Sequence, residues 1–125
     1  MIFPDLLTRV LNLNIALLQL AEKLNERGLG ATAKYMLKHG VRVSDYVHRS
    51  RRNLSKYKCI TNFKLAVHEI DKTMCLLTHL HKRSMITEEE YEFIYSKCDI
   101  VRMSVFIEIR RYSRVADWYE FKETD

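Results

Sequence analysis

Glycine and proline are nearly absent from this chain, with three Gly and one Pro in 125 residues. Folds built from many short strands need many tight turns, and tight turns draw heavily on those two residues. So few breaks in so long a chain predict an all-α fold made of a few long helices. One domain is expected over 1–125, with its core over about 5–114, because a chain of this length buries a core without disulfides or metals.

The apolar residues carry the same message. Leu6, Val10, Leu13, Leu17, Leu20 and Leu24 step alternately by four and three residues, which keeps them on one helical face and predicts a helix over 5–27. Leu7, Leu11, Leu18 and Ala21 form a second row beside that seam. A stripe that wide can touch two neighbours, as a bundle or an oligomer requires. Gly28 and Gly30 are expected to end the helix.

A second helix is expected over 31–50, with Ala33, Met36, Gly40, Val43 and Val47 inside. A glycine inside a helix costs about 1 kcal/mol relative to alanine, so another helix should approach Gly40 closely. Arg51-Arg52-Asn53-Leu54 reads as a polar break, and Ser55 as the N-cap of a third helix over 55–82. That helix carries Ile60, Phe63, Val67, Ile70, Met74 and Leu77. Thr87 and Glu90 form a capping box opening a fourth helix over 88–114, with Tyr91, Ile94, Cys98, Val101 and Val105 as its seam. The aromatic Trp118-Tyr119-Glu120-Phe121 either docks on the bundle or frays. Short connections between long helices make antiparallel neighbours, so the expected architecture is an antiparallel up-down four-helix bundle.

Little in the sequence points to catalysis. Three glycines cannot build a phosphate loop, and Lys72 stands where a zinc helix beginning His68-Glu69 needs its second histidine. His79 and His81 are two residues apart, on different sides of a helix. Di-iron bundles need Glu-x-x-His ligands on facing helices, and these seams are apolar. Glu88, Glu89 and Glu90 read as a solvated run that suits a helix start. The expectation is a protein with no catalytic residues, no metal, no cofactor and no small-molecule substrate. Cys59, Cys75 and Cys98 each lie in an apolar helical pattern and are expected to be buried, reduced thiols in a cytoplasmic protein. The stretch Leu6–Leu24 is broken by Arg9, Asn12, Asn14, Gln19, Glu22 and Lys23, and no basic leader precedes it. Neither a signal peptide nor a membrane span is expected.

Charge is the distinctive property. The net charge is +5 and the sequence pI about 9.2. Between Lys34 and Lys64 stand nine basic residues and one acid, Asp45, which puts +8 in this quarter of the chain and −3 in the rest. Tyr35, Tyr46, Tyr57, His39 and His48 are interleaved with those cations. Unopposed charge with aromatic rings suits phosphate contacts and occasional stacking on bases. Lys38, Arg42, Arg49, Arg51, Arg52, Lys56 and Lys58 are therefore the candidate nucleic-acid-binding residues. The bland alternative is a solvated face. No recognition-helix or RNA-binding signature accompanies the charge, so contact with the RNA or DNA backbone should lead over base readout.

Several segments resemble a known family. They are Leu37-Lys38-His39-Gly40-Val41-Arg42-Val43, Val47-His48, Ser55-Lys56, Leu65-Ala66 and Ile86-Thr87-Glu88-Glu89-Glu90-Tyr91. Together they resemble the small four-helix-bundle proteins encoded in intervening sequences of bacterial 23S ribosomal RNA genes. That superfamily also holds the accessory variability determinant of diversity-generating retroelements. The resemblance covers roughly residues 6 to 112 and rests on pattern and spacing. Tyr46-Val47-His48-Arg49-Ser50 stands where intervening-sequence proteins carry an Asn-Ile-x-Glu-Gly-like signature. Asn53-Leu54-Ser55-Lys56-Tyr57 is closer to the retroelement branch, with its Ser-Lys pair. Asp99-Ile100-Val101-Arg102-Met103 is similar to that branch's Gly-Arg segment, although Val101 replaces the glycine and no Trp follows closely. The resemblance implies a homopentameric barrel with a basic, nucleic-acid-binding surface. For the accessory branch it implies partnership with a reverse transcriptase and its template RNA. The intervening-sequence branch stays open, with a structural or protein-interaction role.

Overall fold

The computed structural model describes the backbone of residues 4–52 and 55–124, and side chains over 6–52 and 55–114. Four helices follow one another: α1 (Pro4–Glu26), α2 (Gly30–Arg52), α3 (Lys56–Lys82) and α4 (Glu88–Thr124). The pairs in contact are α1–α2, α2–α3, α3–α4 and α1–α4, the closed square of a four-helix bundle. Ser50 bonds Cys59 and His39 bonds Glu69 across α2 and α3, while Arg9 meets Ser104 and Arg27 meets Glu90 across α1 and α4. Residue numbers rise on one helix as they fall on the next, so these neighbours are antiparallel.

The inner seams lie where their spacing predicts. All six α1 seam residues are buried, as are Ala33, Met36, Gly40, Val43 and Val47 on α2. Phe63, Val67, Ile70 and Leu77 bury on α3, and Ile94, Cys98, Val101 and Val105 on α4. Ile60 and Met74 of the expected α3 seam, and Tyr91 of α4, are only half-buried. Gly40 has the packing reason its cost demands. A Cβ there would stand 2.6 Å from Asn14 Oδ1 and 3.0 Å from Leu17 Cδ1, so α1 and α2 come closer than a side chain allows.

The helix ends match the expected chemistry in three places and depart from it in three. Gly28 takes a positive φ of 80°. Its N–H donates to Asn25 O at 3.0 Å and that of Leu29 to Leu24 O at 2.8 Å, closing α1 in a Schellman motif. Ser55 caps α3 by accepting from the Lys58 N–H. Thr87 and Glu90 exchange the two bonds of a capping box, at 2.8 and 3.1 Å. Gly30, however, opens α2 instead of ending α1, because Gly28 alone supplies the left-handed residue. Arg51 and Arg52 continue α2: arginine is a good helix former, and cations suit a helix C-terminus. Asn53 and Leu54 lie outside the described residues. Finally, α4 runs to Thr124, so the Trp118–Phe121 segment continues the helix; its side chains lie outside the described residues.

Not every apolar residue goes inside. Leu11, Ile15 and Leu18 on α1 and Val41 on α2 are exposed. Leu11, Leu18 and Val41, with Leu7 and Leu37, border a groove of about 700 Å³ between the two helices. On α4, Phe93, Ile100, Met103 and Ile107 are exposed and repeat at close to a heptad spacing, a second seam facing away from the core. Cys59 and Cys98 are buried, but Cys75 is exposed, against expectation. It falls about 140° around α3 from Ile70, off the buried seam. Burial pushes the Cys59 thiol up and, with Asp99 adding to it, pushes the Cys98 thiol up to about 12.

Candidate nucleic-acid interface

In an up-down bundle the C-terminus of α2, the N-terminus of α3 and the later part of α4 meet at one end. Arg49, Arg51 and Arg52 reach that end on the last turn of α2, and Lys56 and Lys58 on the first turn of α3. Residues 46–68 contain no carboxylate at all. The fold adds cations that a reading along the chain does not join to this group. Phe63 and Tyr112 lie 5.8 Å apart between ring centroids, so α4 near Tyr112 packs beside the start of α3. Burial, aided by Cys59 and Glu108, raises the Tyr112 hydroxyl pKa. Arg110, Arg111 and Arg114 surround that anchor and are exposed. Arg111 Nη1 stands 3.4 Å from Glu108 Oε1, a buried carboxylate. The signal for these three was present in the sequence only in combination with topology: the end of α4 must return to the α2–α3 turn.

Lys38 and Arg42 sit elsewhere. At 100° per residue Lys38, Arg42, Arg49 and Arg52 share an arc of about 80°, so they do lie along one side of α2. Lys38 is nonetheless about 16 Å along the axis from Arg49. Asp45 lies on the same side, and with His48, Arg49 and Arg52 it lines a shallow cavity of about 320 Å³. Arg42 faces α3, where its Nη1 is 3.5 Å from Glu69 Oε1. Glu69 and His39 are buried, with Nδ1 and Oε2 2.5 Å apart. Burial is the largest influence on the Glu69 carboxyl and pushes it up. The hydrogen bond and charge of His39, with Lys72 and Arg42, outweigh it, and the carboxyl lies below its ordinary value. Part of the Arg42 charge therefore answers an internal carboxylate.

The interleaved aromatics sort themselves in the same way. His39 is buried, and the Tyr35 ring meets its edge at 4.4 Å and 82°. Tyr46 lies under the Arg49 guanidinium, 5.6 Å from its ring centroid. Tyr57 is 62% exposed, on the first turn of α3 between Lys56 and Lys58. At the opposite end of the bundle Glu88 and Glu89 are exposed, while Glu90 is half-buried and paired. His81 bonds Glu88 and stacks on Tyr91, with ring centroids 4.3 Å apart. Among the described residues, no three His, Cys, Asp or Glu side chains converge as a metal site, and no helix is long and apolar enough to cross a membrane.

These features define a four-helix bundle with one strongly basic end. Among solved structures, the chain is similar to a protein of unknown function from the S23 ribosomal protein family of Bacteroides thetaiotaomicron. The TM-score is 0.81 and the identity 20%, covering 85% of this chain and 96% of that one. At that identity the likeness shows a shared fold. No family model and no curated protein matches the chain.

Proposed function

We propose that this chain is a non-catalytic accessory protein that binds nucleic acid through its α2–α3 end and assembles with copies of itself. The observation that carries the reading is the convergence of Arg49, Arg51, Arg52, Lys56 and Lys58 with Arg110 and Arg114 at one end of the bundle, beside a stretch of chain free of carboxylates. A merely solubilising surface mixes signs, as the exposed face of early α4 does. Neutralised phosphates release counterions, so binding should fall with salt at a log–log slope of roughly −0.9 per contact for duplex DNA and −0.7 for single strands.

The uncovered rows on α1 and α4 support self-assembly, and the family resemblance implies five copies. A ring would repeat the basic end and turn weak contacts into avidity. The Ser55-Lys56 pair favours the retroelement accessory role, with a reverse transcriptase as protein partner. The α4 outer seam also suits a second reading, a bundle whose role is structural or in protein interaction alone.

Fluorescence anisotropy with labelled RNA and DNA, titrated across salt, separates the two. The variant changes Arg49, Arg51 and Arg52 together to Ala. Weaker binding with a shallower salt slope and an unchanged helical signal supports the interface. A wild type that ignores both polymers at low salt overturns it and leaves the second reading.

A further inference from the structure

Building on that proposed interface, we infer that it takes single-stranded nucleic acid, with Tyr57 as the platform on which an unpaired base stacks. The fold selects this ring from five candidates. Burial removes His39, and Tyr35 packs against that ring early in α2, away from the basic end. Tyr46 already holds a cation on its face. His48 sits beside the apolar α1–α2 groove, which it lines with Val41 and Asp45.

Tyr57 alone combines an open ring with the basic end. At 62% it is more exposed than any other large apolar or aromatic side chain among the described residues, and no aromatic or cationic partner covers it there. An aromatic ring left in water gives up the burial that ordinarily stabilises it. Lys56 and Lys58 leave the helix on either side of it, splayed by about 200°. They are placed to meet the phosphates before and after a stacked base. Arg51 and Arg52, on the facing end of α2, extend the cationic track.

The geometry discriminates between strands. Inside a duplex both faces of every base are covered by its neighbours, so an exposed ring finds nothing to stack on. In a single strand each base offers a π-face, whatever its identity. Charge alone favours the duplex, whose phosphates are denser along the axis. A preference for single strands therefore requires a contact other than charge, and the open ring supplies one. The stacking does not use the ribose 2′-hydroxyl, so unpaired RNA and unpaired DNA share the chemistry.

The test compares mixed-sequence single-stranded RNA, single-stranded DNA and duplex DNA of equal length at one salt concentration, using wild type, Tyr57→Phe and Tyr57→Ala. Both single strands should bind tighter than the duplex. Tyr57→Ala should lose roughly tenfold on single strands, leave duplex binding unchanged, and keep the salt slope, since no phosphate contact is removed. Tyr57→Phe should bind as wild type does. A duplex that binds as well as the single strands, or a Tyr57→Ala effect that is absent or equal on all three polymers, overturns the stacking role while leaving the basic interface intact. Absence of binding to every polymer overturns the interface itself, and the stacking role with it. Thermal melting followed by circular dichroism should show all three proteins equally folded.

Discussion

Arg27 and Glu90 are joined by two parallel hydrogen bonds, Nη1 to Oε1 at 3.0 Å and Nη2 to Oε2 at 2.9 Å. The same guanidinium reaches Met85 O at 3.0 Å, and Glu90 also completes the capping box with Thr87. One carboxylate thus starts α4 and ties it to the turn that ends α1.

That carboxylate makes stability depend on pH. The Arg27 hydrogen bond, opposed by burial and aided by the Thr87 N–H and the charges of Arg27 and Lys23, lowers the Glu90 pKa from 4.5 to about 2. A depressed carboxyl contributes stability that is present above its unfolded value and lost as pH falls through its folded one. The loss should therefore fall between about pH 4.5 and 2. Urea titrations in that window should show wild type losing about 1–3 kcal/mol more than Glu90→Gln. Glutamine can still serve the capping box, so the variant isolates the charge.

His39 and Glu69 form the buried counterpart of that clasp. Glu69→Ala removes the hydrogen-bond partner of buried His39 in the α2–α3 interface and should cost about 1–3 kcal/mol in chemical denaturation. Replacing both residues with apolar ones, His39→Leu with Glu69→Met, should cost less than the worse single change. Equal or additive losses would show the two residues acting separately.

Ser84 holds φ at 57°, the left-handed position that closes α3, with Met85 N–H bonded to Leu80 O at 2.9 Å. Glycine occupies this conformation without the Cβ conflict that costs roughly 1–2 kcal/mol. Ser84→Gly should raise the melting temperature by a few degrees. A drop would mean that the serine side chain contributes more than its strain removes.

Self-assembly is testable through α4. Light scattering at micromolar concentration should report several times the 14.9 kDa chain mass. Ile100→Lys with Ile107→Lys should return a monomer of unchanged helicity. A monomeric wild type would remove the assembly proposal.

The buried seams are legible in the sequence because burial imposes the helical period on every residue of a face. Ser55, Thr87 and Glu90 are legible because caps act over three residues. The Arg51–Arg52 continuation was hidden because arginines are equally at home in a loop and at a helix C-terminus. Cys75 misleads because neighbouring Met74 and Leu76 make its surroundings look apolar, while the helix turns it outward. His39 and Glu69 are separated in the chain and joined only by the antiparallel return of α3 along α2, and Arg110 comes to the same end as Arg51 only because α4 runs back past the start of α3. Half of the candidate interface follows from a local charge count. The other half, and the singling-out of Tyr57, needed the positions of rings in space.

Cations gather nearly unopposed at the α2–α3 end, whereas at the other end Lys82 and Arg83 stand with Glu88 and Glu89, so positive charge is distributed unevenly along the bundle. On the proposed function, such a body would turn in the field of a polyanion before touching it, and encounters would begin end-on. Its flanks, where the exposed apolar rows of α1 and α4 lie, would then stay open for the proposed side-by-side packing of further copies.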